Sequence, residues 1–215
     1  MPGLGVCGGS AVRGLDVLLP DAVYLQRHGA DRYVLPHRID HLANMRSLAE
    51  AGCDRVLALG SVGGLRRELA PGTFVCPDDF IALDGGPVAF DDERAHSVPR
   101  FDPSWRRRVV LGWRDQVGSE IVDGGAYWQA HGPRLETRAE IRLMAGHAEL
   151  VGMTIASECV AACQLGLAYA AICVVENLAN GVGERELTME ELLAGRAANR
   201  EAVTLALERL VPALA

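Results

Sequence analysis

Several features that would assign this chain to a protein class are missing from it. Its six cysteines form no CxxC pair, so neither a zinc site nor a disulfide framework is indicated, and buried reduced thiols are the expected state. There is no long basic run, and the net charge of −7 argues against DNA or RNA as a ligand. No apolar stretch reaches the roughly 18 residues that span a membrane, and the first residues do not resemble a signal peptide. These absences favour a cytoplasmic protein with no metal, nucleic-acid or membrane partner.

The composition is that of a globular protein, with 49% hydrophobic and 23% charged residues in a chain of 215. Short apolar runs predict strands at Leu4–Cys7, Val23–Leu25, Val56–Leu59, Thr73–Cys76, Phe80–Leu83, Ile121–Val122, Ala126–Gln129, Leu150–Met153 and Ala170–Val175. Helical spacing predicts helices at Ile39–Ala51, from Asp102, and at Thr137–Gly146, Glu158–Leu165 and Met189–Leu210. Because strands and helices alternate, we expect an α/β fold, one domain over residues 1–215 with a mixed, mostly parallel central sheet flanked by helices.

The stretch from Arg55 to Arg67 is the predicted centre of this sheet. Four unbroken apolar residues, 56–59, are typical of a strand buried on both faces. Glycines at 60, 63 and 64 then bracket Ser61, and they predict a sharp turn where backbone N–H groups and a hydroxyl could cradle an anion. A strand-to-helix turn without a ligand is the alternative for this stretch taken alone.

Polar residues follow the predicted strands at many points along the chain. They are Ser10, Arg27-His28, Ser61, Glu136, Thr154 and Asn177. In a mostly parallel sheet, ligands bind at the carboxyl ends of the strands. Each signal is weak, but their shared placement predicts one site at that edge. The loop over residues 84–100 is rich in Gly, Pro and mixed charge, which is typical of a surface loop that serves a site or an interface.

The sequence resembles the trimeric purine nucleoside phosphorylases, especially the branch that acts on methylthioadenosine and methylthioinosine. Two motifs carry most of the likeness, Gly-Pro-Arg-Leu-Glu-Thr at 132–137 and Val-Gly-Met-Thr at 151–154. Further matches are Gly8-Gly9-Ser10, Arg27-His28-Gly29, Gly63-Gly64-Leu65, Pro71-Gly72, Glu158 and Glu176-Asn177. The likeness covers nearly the whole chain. It implies a nucleoside phosphorylase-like fold, a homotrimer, a purine nucleoside substrate and inorganic phosphate as co-substrate, with no cofactor.

The resemblance also implies a role for individual residues. The phosphate site consists of Ser10, Arg27, His28, Ser61 and Thr154. The nucleoside pocket consists of Tyr127, Leu135, Glu136, Met153, Asn177, Ala179 and Met189, with His96 supplied by a neighbouring subunit. Asn177, Arg27 and His28 are the expected catalytic residues. In chemical terms, Arg27 offers a planar fork of donors to a phosphate, and hydroxyls with backbone N–H groups complete the cradle.

Asn177 and Met189 bear on specificity. A carboxamide can donate to a 6-oxo group and accept from a protonated ring nitrogen, so Asn177 predicts a hypoxanthine- or guanine-type base. Met189 stands where some inosine-cleaving members have a His. Its apolar thioether favours a substrate with a 5′-methylthio group. A core position at the start of the last helix is the alternative for Met189.

The chain departs from the family pattern at several positions. Gly60 replaces a Thr or Asn, Leu135 replaces a Phe, Leu178 replaces a Lys or Pro, Glu176 is unusual, and the segment 11–22 is shortened. The first hypothesis is phosphorolysis of 6-oxopurine nucleosides, including methylthioinosine. Phosphorolysis of methylthioadenosine, nucleoside binding without catalysis, and hydrolysis remain alternatives. The motif Gly152-Met153-Thr154 counts against hydrolysis, since the nucleosidases carry Glu-Met-Glu there.

Overall fold

One sheet of nine strands runs through the described part of the chain, which in this computed structural model comprises residues 3–12, 19–183 and 187–215. The strands are β1 (Leu4–Gly8), β2 (Val23–Gln26), β3 (Arg55–Gly64), β4 (Phe74–Cys76), β5 (Asp79–Ala82), β6 (Val122–Asp123), β7 (Ala126–Gln129), β8 (Leu150–Gly152) and β9 (Ala168–Leu178). Their order is β5-β7-β8-β3-β9-β4-β6, with β1 beside β3 and β2 beside β1. Only the β3–β8 and β4–β9 pairs are antiparallel among these strands. The α/β prediction with a mostly parallel sheet is confirmed. Half of the shortened segment 11–22, residues 13–18, lies outside the described residues.

Five α-helices flank the sheet in the described residues. They are α1 (His41–Glu50), α2 (Pro103–Gln116), α3 (Arg138–Ala145), α4 (Ile155–Gln164) and α5 (Met189–Leu214). Capping explains where most of them begin, because Asp40, Asp102, Thr137 and Thr188 each accept a hydrogen bond from a backbone N–H of the first turn. α4 was predicted to begin at Glu158 and begins instead at Ile155. Thr154 and Ile155, at this start, are β-branched and have a low helix propensity, so local propensity does not reveal it.

The two central strands, β3 and β9, separate two apolar layers. Leu57, Leu59, Ile172 and Val174 pack into a cluster with residues of α2 and α5. The alternate residues of the same strands pack into a second cluster with residues of α1 and α4. Because side chains alternate across a strand, Ser61 and Glu176 continue the α5 side, whereas Gly60 and Asn177 continue the α4 side.

The glycine-rich segment 60–64 belongs to β3, so the predicted sharp turn at Gly60 is wrong. None of its three glycines has a positive φ, and the irregularity there is a shift in register between Val62 and Gly63. A Cβ on Gly60 would lie 3.0 Å from the Cys173 sulfur and 3.2 Å from Ile155 Cγ1. The glycine therefore allows close packing of α4 against the strand.

The predicted surface loop after β5 is confirmed. Residues 83–102 contain one short 3-10 turn, Glu93–Ala95, and exposed apolar side chains at Leu83, Val88 and Val98. His96 lies on this loop and is exposed. Within the described residues, no helix is long and apolar enough to cross a membrane.

Candidate active site

A cavity of about 560 Å³ opens at the carboxyl ends of the central strands. It is lined by residues that follow β1 and β2, by residues of β3, β8 and β9, and by residues from the start of α5. All but two of the predicted site residues line it: Ser10, Arg27, His28, Ser61, Leu135, Glu136, Met153, Thr154, Asn177, Ala179 and Met189. Their expected roles remain predictions, but the structure brings them into one space.

The two predicted residues outside the cavity lining are Tyr127 and His96. Tyr127 is buried behind the wall, where its hydroxyl oxygen accepts from the N–H groups of Thr154, at 3.1 Å, and Ile155, at 3.4 Å. It therefore positions the start of α4. His96 does not line the cavity of its own chain, so its supply to a neighbouring subunit stays a prediction.

Arg27 is held in a closed ion pair on the α4 side of the cavity. Its Nε and Nη2 donate to the two carboxylate oxygens of Glu158, at 2.6 and 2.8 Å, and its Nη1 donates to the Leu59 carbonyl at 2.7 Å. The Cys7 thiol and the Tyr169 hydroxyl also donate to Glu158, at 3.0 and 2.7 Å. The fork that was predicted for phosphate is thus engaged by a carboxylate from α4.

Both members of this pair are charged. Burial alone would raise the pKa of Glu158, but the charge and hydrogen bonds of Arg27 lower it below its ordinary value. Burial alone would lower the pKa of Arg27, but the Glu158 charge raises it well above its ordinary value. The pair is neutral in sum, so it contributes little net positive charge to the cavity.

His28 lies beside this pair and is uncharged at neutral pH. Burial, together with the nearby charges of Arg27 and Arg196, lowers the pKa of His28 to about 4. Its Nδ1 lies 2.9 Å from the Val34 carbonyl, and its ring stacks on Tyr33 with centroids 5.0 Å apart. Because a carbonyl only accepts, we assign the hydrogen to Nδ1, which leaves Nε2 as an acceptor.

Three hydroxyls supply the polar groups for an anion. Ser10 and Ser61 are hydrogen-bonded to each other through their side-chain oxygens at 3.0 Å. Thr154 precedes the first turn of α4, and its side chain makes no capping hydrogen bond there. A hydroxyl at the positive end of a helix dipole is well placed to donate to an anion.

Glu176 and Arg196 form a second, open pair on the α5 side. Glu176 Oε1 and Arg196 Nε are 3.7 Å apart, and neither buried atom has a hydrogen-bond partner among the described residues. Burial raises the pKa of Glu176, while a hydrogen bond from Ser61 and the Arg196 charge oppose that rise. α5 crosses β9 closely here, because a Cβ on Gly195 would overlap the Glu176 carbonyl oxygen. Sequence reasoning noted Glu176 as unusual but missed its partner.

Leu135, Met153 and Ala179 contribute an apolar wall to the cavity lining. The Asn177 carboxamide also lines the cavity, and its Nδ2 donates to the Leu178 carbonyl at 2.9 Å. One N–H and the carbonyl oxygen of that carboxamide are not used in this bond. Burial raises the pKa of the Glu136 carboxyl, which also lines the wall.

The rim of the cavity is built by apolar residues that sequence reasoning largely missed. Met189 and Leu193, at the start of α5, are 64% and 53% exposed, and Leu192 and Leu187 lie beside them. Met189 is therefore not a core residue. Tyr33, Leu35 and Pro36 line the same cavity. The Leu192-Leu193 doublet, directly after a capping box at Thr188 and Glu191, was the available signal for this rim.

Nothing in the described residues indicates a metal centre. No group of three or more His, Cys, Asp or Glu side chains in that part of the chain is arranged to hold a metal ion. All six cysteines are free thiols, and all but Cys163 are buried.

Comparison with known proteins places these observations in context. Residues 8–212 match the family model described as the phosphorylase superfamily. A probable 6-oxopurine nucleoside phosphorylase of Archaeoglobus fulgidus is 38% identical over 173 residues, which are 80% of this chain and 71% of the relative. A probable S-methyl-5′-thioinosine phosphorylase of Xanthomonas campestris pv. campestris is 36% identical over 201 residues, which are 89% of this chain and 78% of the relative.

Solved structures agree on the fold. The methylthioadenosine phosphorylase of Schistosoma mansoni in complex with tubercidin superimposes with a TM-score of 0.78. The alignment covers 98% of this chain and 90% of the other, at 20% sequence identity. At that identity the likeness establishes the architecture alone.

Proposed function

The chain belongs to the phosphorylase superfamily, and we propose that it is a purine nucleoside phosphorylase, a pentosyltransferase that acts on 6-oxopurine nucleosides. The reaction moves the sugar from the base to inorganic phosphate. It releases the free purine and ribose 1-phosphate, or methylthioribose 1-phosphate when the substrate is 5′-methylthioinosine. The relatives named above as 6-oxopurine and methylthioinosine phosphorylases support this substrate class.

One observation carries the proposal. A single cavity joins a cluster of hydroxyls, from Ser10, Ser61 and Thr154, to an apolar wall that holds the Asn177 carboxamide. A nucleoside needs such a wall for its base, and a phosphate nucleophile needs donors near the anomeric carbon. The cavity volume of about 560 Å³ suits both together.

The three hydroxyls position phosphate next to the sugar by hydrogen bonds, and the protein forms no covalent bond to either substrate. In phosphorolysis the glycosidic C1′–N9 bond breaks, its electron pair leaves with the purine, and a phosphate oxygen bonds to C1′. The transition state has oxocarbenium character, so a nearby anion stabilises it electrostatically. Correct placement of phosphate is the other contribution of the protein. Arg27, tied to Glu158, orders this wall while its charge is largely neutralised.

Asn177 reads and stabilises the departing base. Its free N–H donates to a 6-oxo group and its carbonyl oxygen accepts from the protonated ring nitrogen as negative charge builds on the purine. A 6-amino group in the same place would leave donors facing each other. Such a mismatch costs about 1–3 kcal/mol, which is enough for a clear preference.

The 5′ end of the nucleoside lies under the start of α5. Met189 and Leu193 there are apolar and exposed in this chain, so burial against a methylthio group would remove apolar surface from water. This supports 5′-methylthioinosine over inosine as the better substrate.

We further propose that the protein is a cytoplasmic homotrimer in which His96 reaches a neighbouring subunit's pocket. The exposed loop that carries His96, with Val88 at 64% and Val98 at 90% exposure, supplies apolar surface for such a contact. Light scattering after size exclusion measures the assembly. A monomer that still cleaves nucleosides would contradict the shared pocket.

A substrate panel tests the proposed reaction. Inosine, guanosine, methylthioinosine, adenosine and methylthioadenosine are each incubated with the enzyme, with and without phosphate, and free base is quantified. We expect base release from the 6-oxopurine nucleosides only when phosphate is present. Release without phosphate would identify a hydrolase, and no release from any nucleoside would support a binding protein.

The base assignment has its own variant. Asn177→Asp inverts the donor pattern, so the ratio of kcat/KM for adenosine-type over inosine-type substrates should rise by roughly tenfold or more. Asn44→Asp, on α1 away from the cavity, makes the same chemical change and should leave the ratio unaltered. An unchanged ratio in Asn177→Asp would remove Asn177 from base recognition.

A further inference from the structure

The cavity offers a phosphate no net positive charge from its ionisable pairs. Arg27 is matched by Glu158 at 2.6 Å, and Arg196 faces Glu176 at 3.7 Å. His28 is neutral, because its pKa is lowered to about 4 by burial and by the two arginines. An anion bound here is therefore recognised by directed hydrogen bonds more than by charge, and each donor and acceptor in the wall becomes selective.

The open pair defines what kind of group it can accept. Within the described part of the chain, Glu176 Oε1 is a buried acceptor without a donor, and Arg196 Nε is a buried donor without an acceptor. A ligand O–H group satisfies both at once, by donating to the carboxylate and accepting from the guanidinium. Rotation about the terminal carboxyl torsion is soft, so either oxygen of Glu176 can turn towards the cavity that it lines.

The Glu176–Arg196 pair lies next to the hydroxyl groups that are proposed to bind the anion. Glu176 and Ser61 extend the same side of neighbouring strands, and the Ser61 hydroxyl interacts with the Glu176 carboxyl. Ser61 is in turn bonded to Ser10 at 3.0 Å. Arg196 and His28 line the same cavity as Ser10, Ser61 and Glu176. An anion held by the two serine hydroxyls therefore presents its O–H group to Glu176.

Tetrahedral oxyanions differ in whether they carry such a group. Around neutral pH, inorganic phosphate retains at least one hydrogen, whereas sulfate retains none. A buried carboxylate facing sulfate places two acceptors against each other, and neither gains a hydrogen bond. Size and shape alone would not separate the two anions.

We propose that Glu176 is a specificity-determining residue that accepts the P–OH hydrogen of phosphate, while Arg196 donates to the same oxygen, and that this pair excludes unprotonated oxyanions such as sulfate. The inference rests on the proposed function, because it takes the hydroxyl cluster to be a phosphate site. It assigns to Glu176 and Arg196 a role that the predicted phosphate residues do not include.

Anion binding to the full-length protein tests the inference directly. Sodium phosphate and sodium sulfate are titrated at pH 7 and constant ionic strength, with calorimetry and the shift in thermal unfolding as readouts. We expect wild-type protein to bind phosphate at least about tenfold more tightly than sulfate. In Glu176→Gln the carboxamide can donate to an acceptor oxygen, so sulfate affinity should rise to within about threefold of phosphate affinity.

A matched control and a second variant keep the outcome interpretable. Glu201→Gln, on the exposed side of α5, makes the same change of charge and should keep the discrimination of wild type. Glu176→Ala removes the opposing acceptor without adding a donor, and it should also admit sulfate.

Three results would overturn the inference. If wild type binds both anions equally, Glu176 does not discriminate, although the phosphate site and the proposed function survive. If sulfate stays excluded from both Glu176 variants, another group is responsible. If wild type binds neither anion, the phosphate site fails, and the proposed function fails with it.

Discussion

Two buried carboxylates approach the same cavity from opposite sides of the sheet, and they differ in how completely they are paired. Glu158, on the α4 side, is 0% exposed and accepts from Cys7, Tyr169 and two nitrogens of Arg27. Glu176, on the α5 side, is 4% exposed and has an oxygen with no hydrogen-bond partner in residues 3–12, 19–183 and 187–215. Buried polar groups are normally satisfied, so the first reads as a structural element and the second as a group awaiting a ligand.

The difference follows from how each helix meets the sheet. α4 begins two residues after β8, and Glu158 in its first turn accepts two hydrogen bonds from the Arg27 guanidinium, at 2.6 and 2.8 Å. α5 crosses β9 at Gly195, and Arg196 approaches Glu176 only through Nε at 3.7 Å. A full pair is expensive to break, whereas an open pair can change partner at small cost. Variants on each side test that contrast.

The largest expected effect comes from opening the closed pair. Glu158→Gln leaves Arg27 as a buried charge without a counterion, and we expect it to lower the free energy of unfolding by about 3–5 kcal/mol in urea titrations. Asp92→Asn, in the exposed Asp92–Arg94 pair, should leave the unfolding curve unchanged.

The double variant Arg27→Met with Glu158→Met keeps the volume and removes both charges, so it should recover most of the stability. It also remains informative if Glu158→Gln does not fold. A double variant as unstable as the single one would show that the charges themselves are needed.

His28 should make the protein sensitive to acid. Its pKa is lowered from 6.5 to about 4, so the native state keeps it neutral while the unfolded chain protonates it. The free energy of unfolding therefore has its full His28 contribution above pH 6.5. It falls as pH drops towards 4, by up to about 3 kcal/mol. His28→Gln should reduce that loss in urea titrations between pH 7 and 4.

Two other histidines bear on the His28 experiment, one as a background contribution and one as a control. His41 is also buried with a lowered pKa, so its acid sensitivity remains in the variant and must be subtracted. His147→Gln, at an exposed position after α3, should leave the pH dependence of wild type intact. Identical slopes for wild type and His28→Gln would mean that His28 is not held neutral by the cavity.

Gly195 tests the close crossing that keeps the second pair open. In Gly195→Ala the added Cβ would push α5 away from the Glu176 carbonyl. We expect the free energy of unfolding to fall by about 2 kcal/mol, even though alanine favours a helix over glycine by about 1 kcal/mol. Gly112→Ala is the matched control, because the atoms nearest to a Cβ there belong to the side chains of Leu210 and Leu214, at 3.2 and 3.3 Å. Equal effects in the two variants would contradict a backbone clash at Gly195.

The same contrast explains which parts of the site the sequence could predict. Runs of apolar residues located every strand, and helical spacing located the starts of the helices after Thr137 and Thr188, because these are local signals. The motifs around Met153 and Asn177 identified the cavity wall through resemblance. The ion pair of Arg27 with Glu158 was not predictable in this way, since the two residues are 131 positions apart and no local pattern specifies the pairing.

Misplaced local structure has a physical cause as well. The glycines at 60, 63 and 64 suggested a turn, but tertiary packing uses them for close contact inside a strand. Arg196 was overlooked because charged residues on a long helix are usually solvated. Its significance appears only when Gly195 brings that turn of α5 against the end of β9.

The smallest expected effect distinguishes the open carboxylate from a satisfied one. Burial raises the pKa of Glu176, so its ionised form disfavours the folded state at neutral pH. Glu176→Gln should therefore raise the free energy of unfolding by roughly 1 kcal/mol at pH 7, in contrast to the loss expected for Glu158→Gln. Because the pKa of Glu176 is raised, the wild-type carboxylate takes up a proton in the folded state as pH falls towards the ordinary Glu value. The stability gain of Glu176→Gln over wild type should therefore shrink in that range. Glu201→Gln controls for the change in net charge, and a clear loss of stability in Glu176→Gln at pH 7 would show that the Glu176 carboxylate already has its partners.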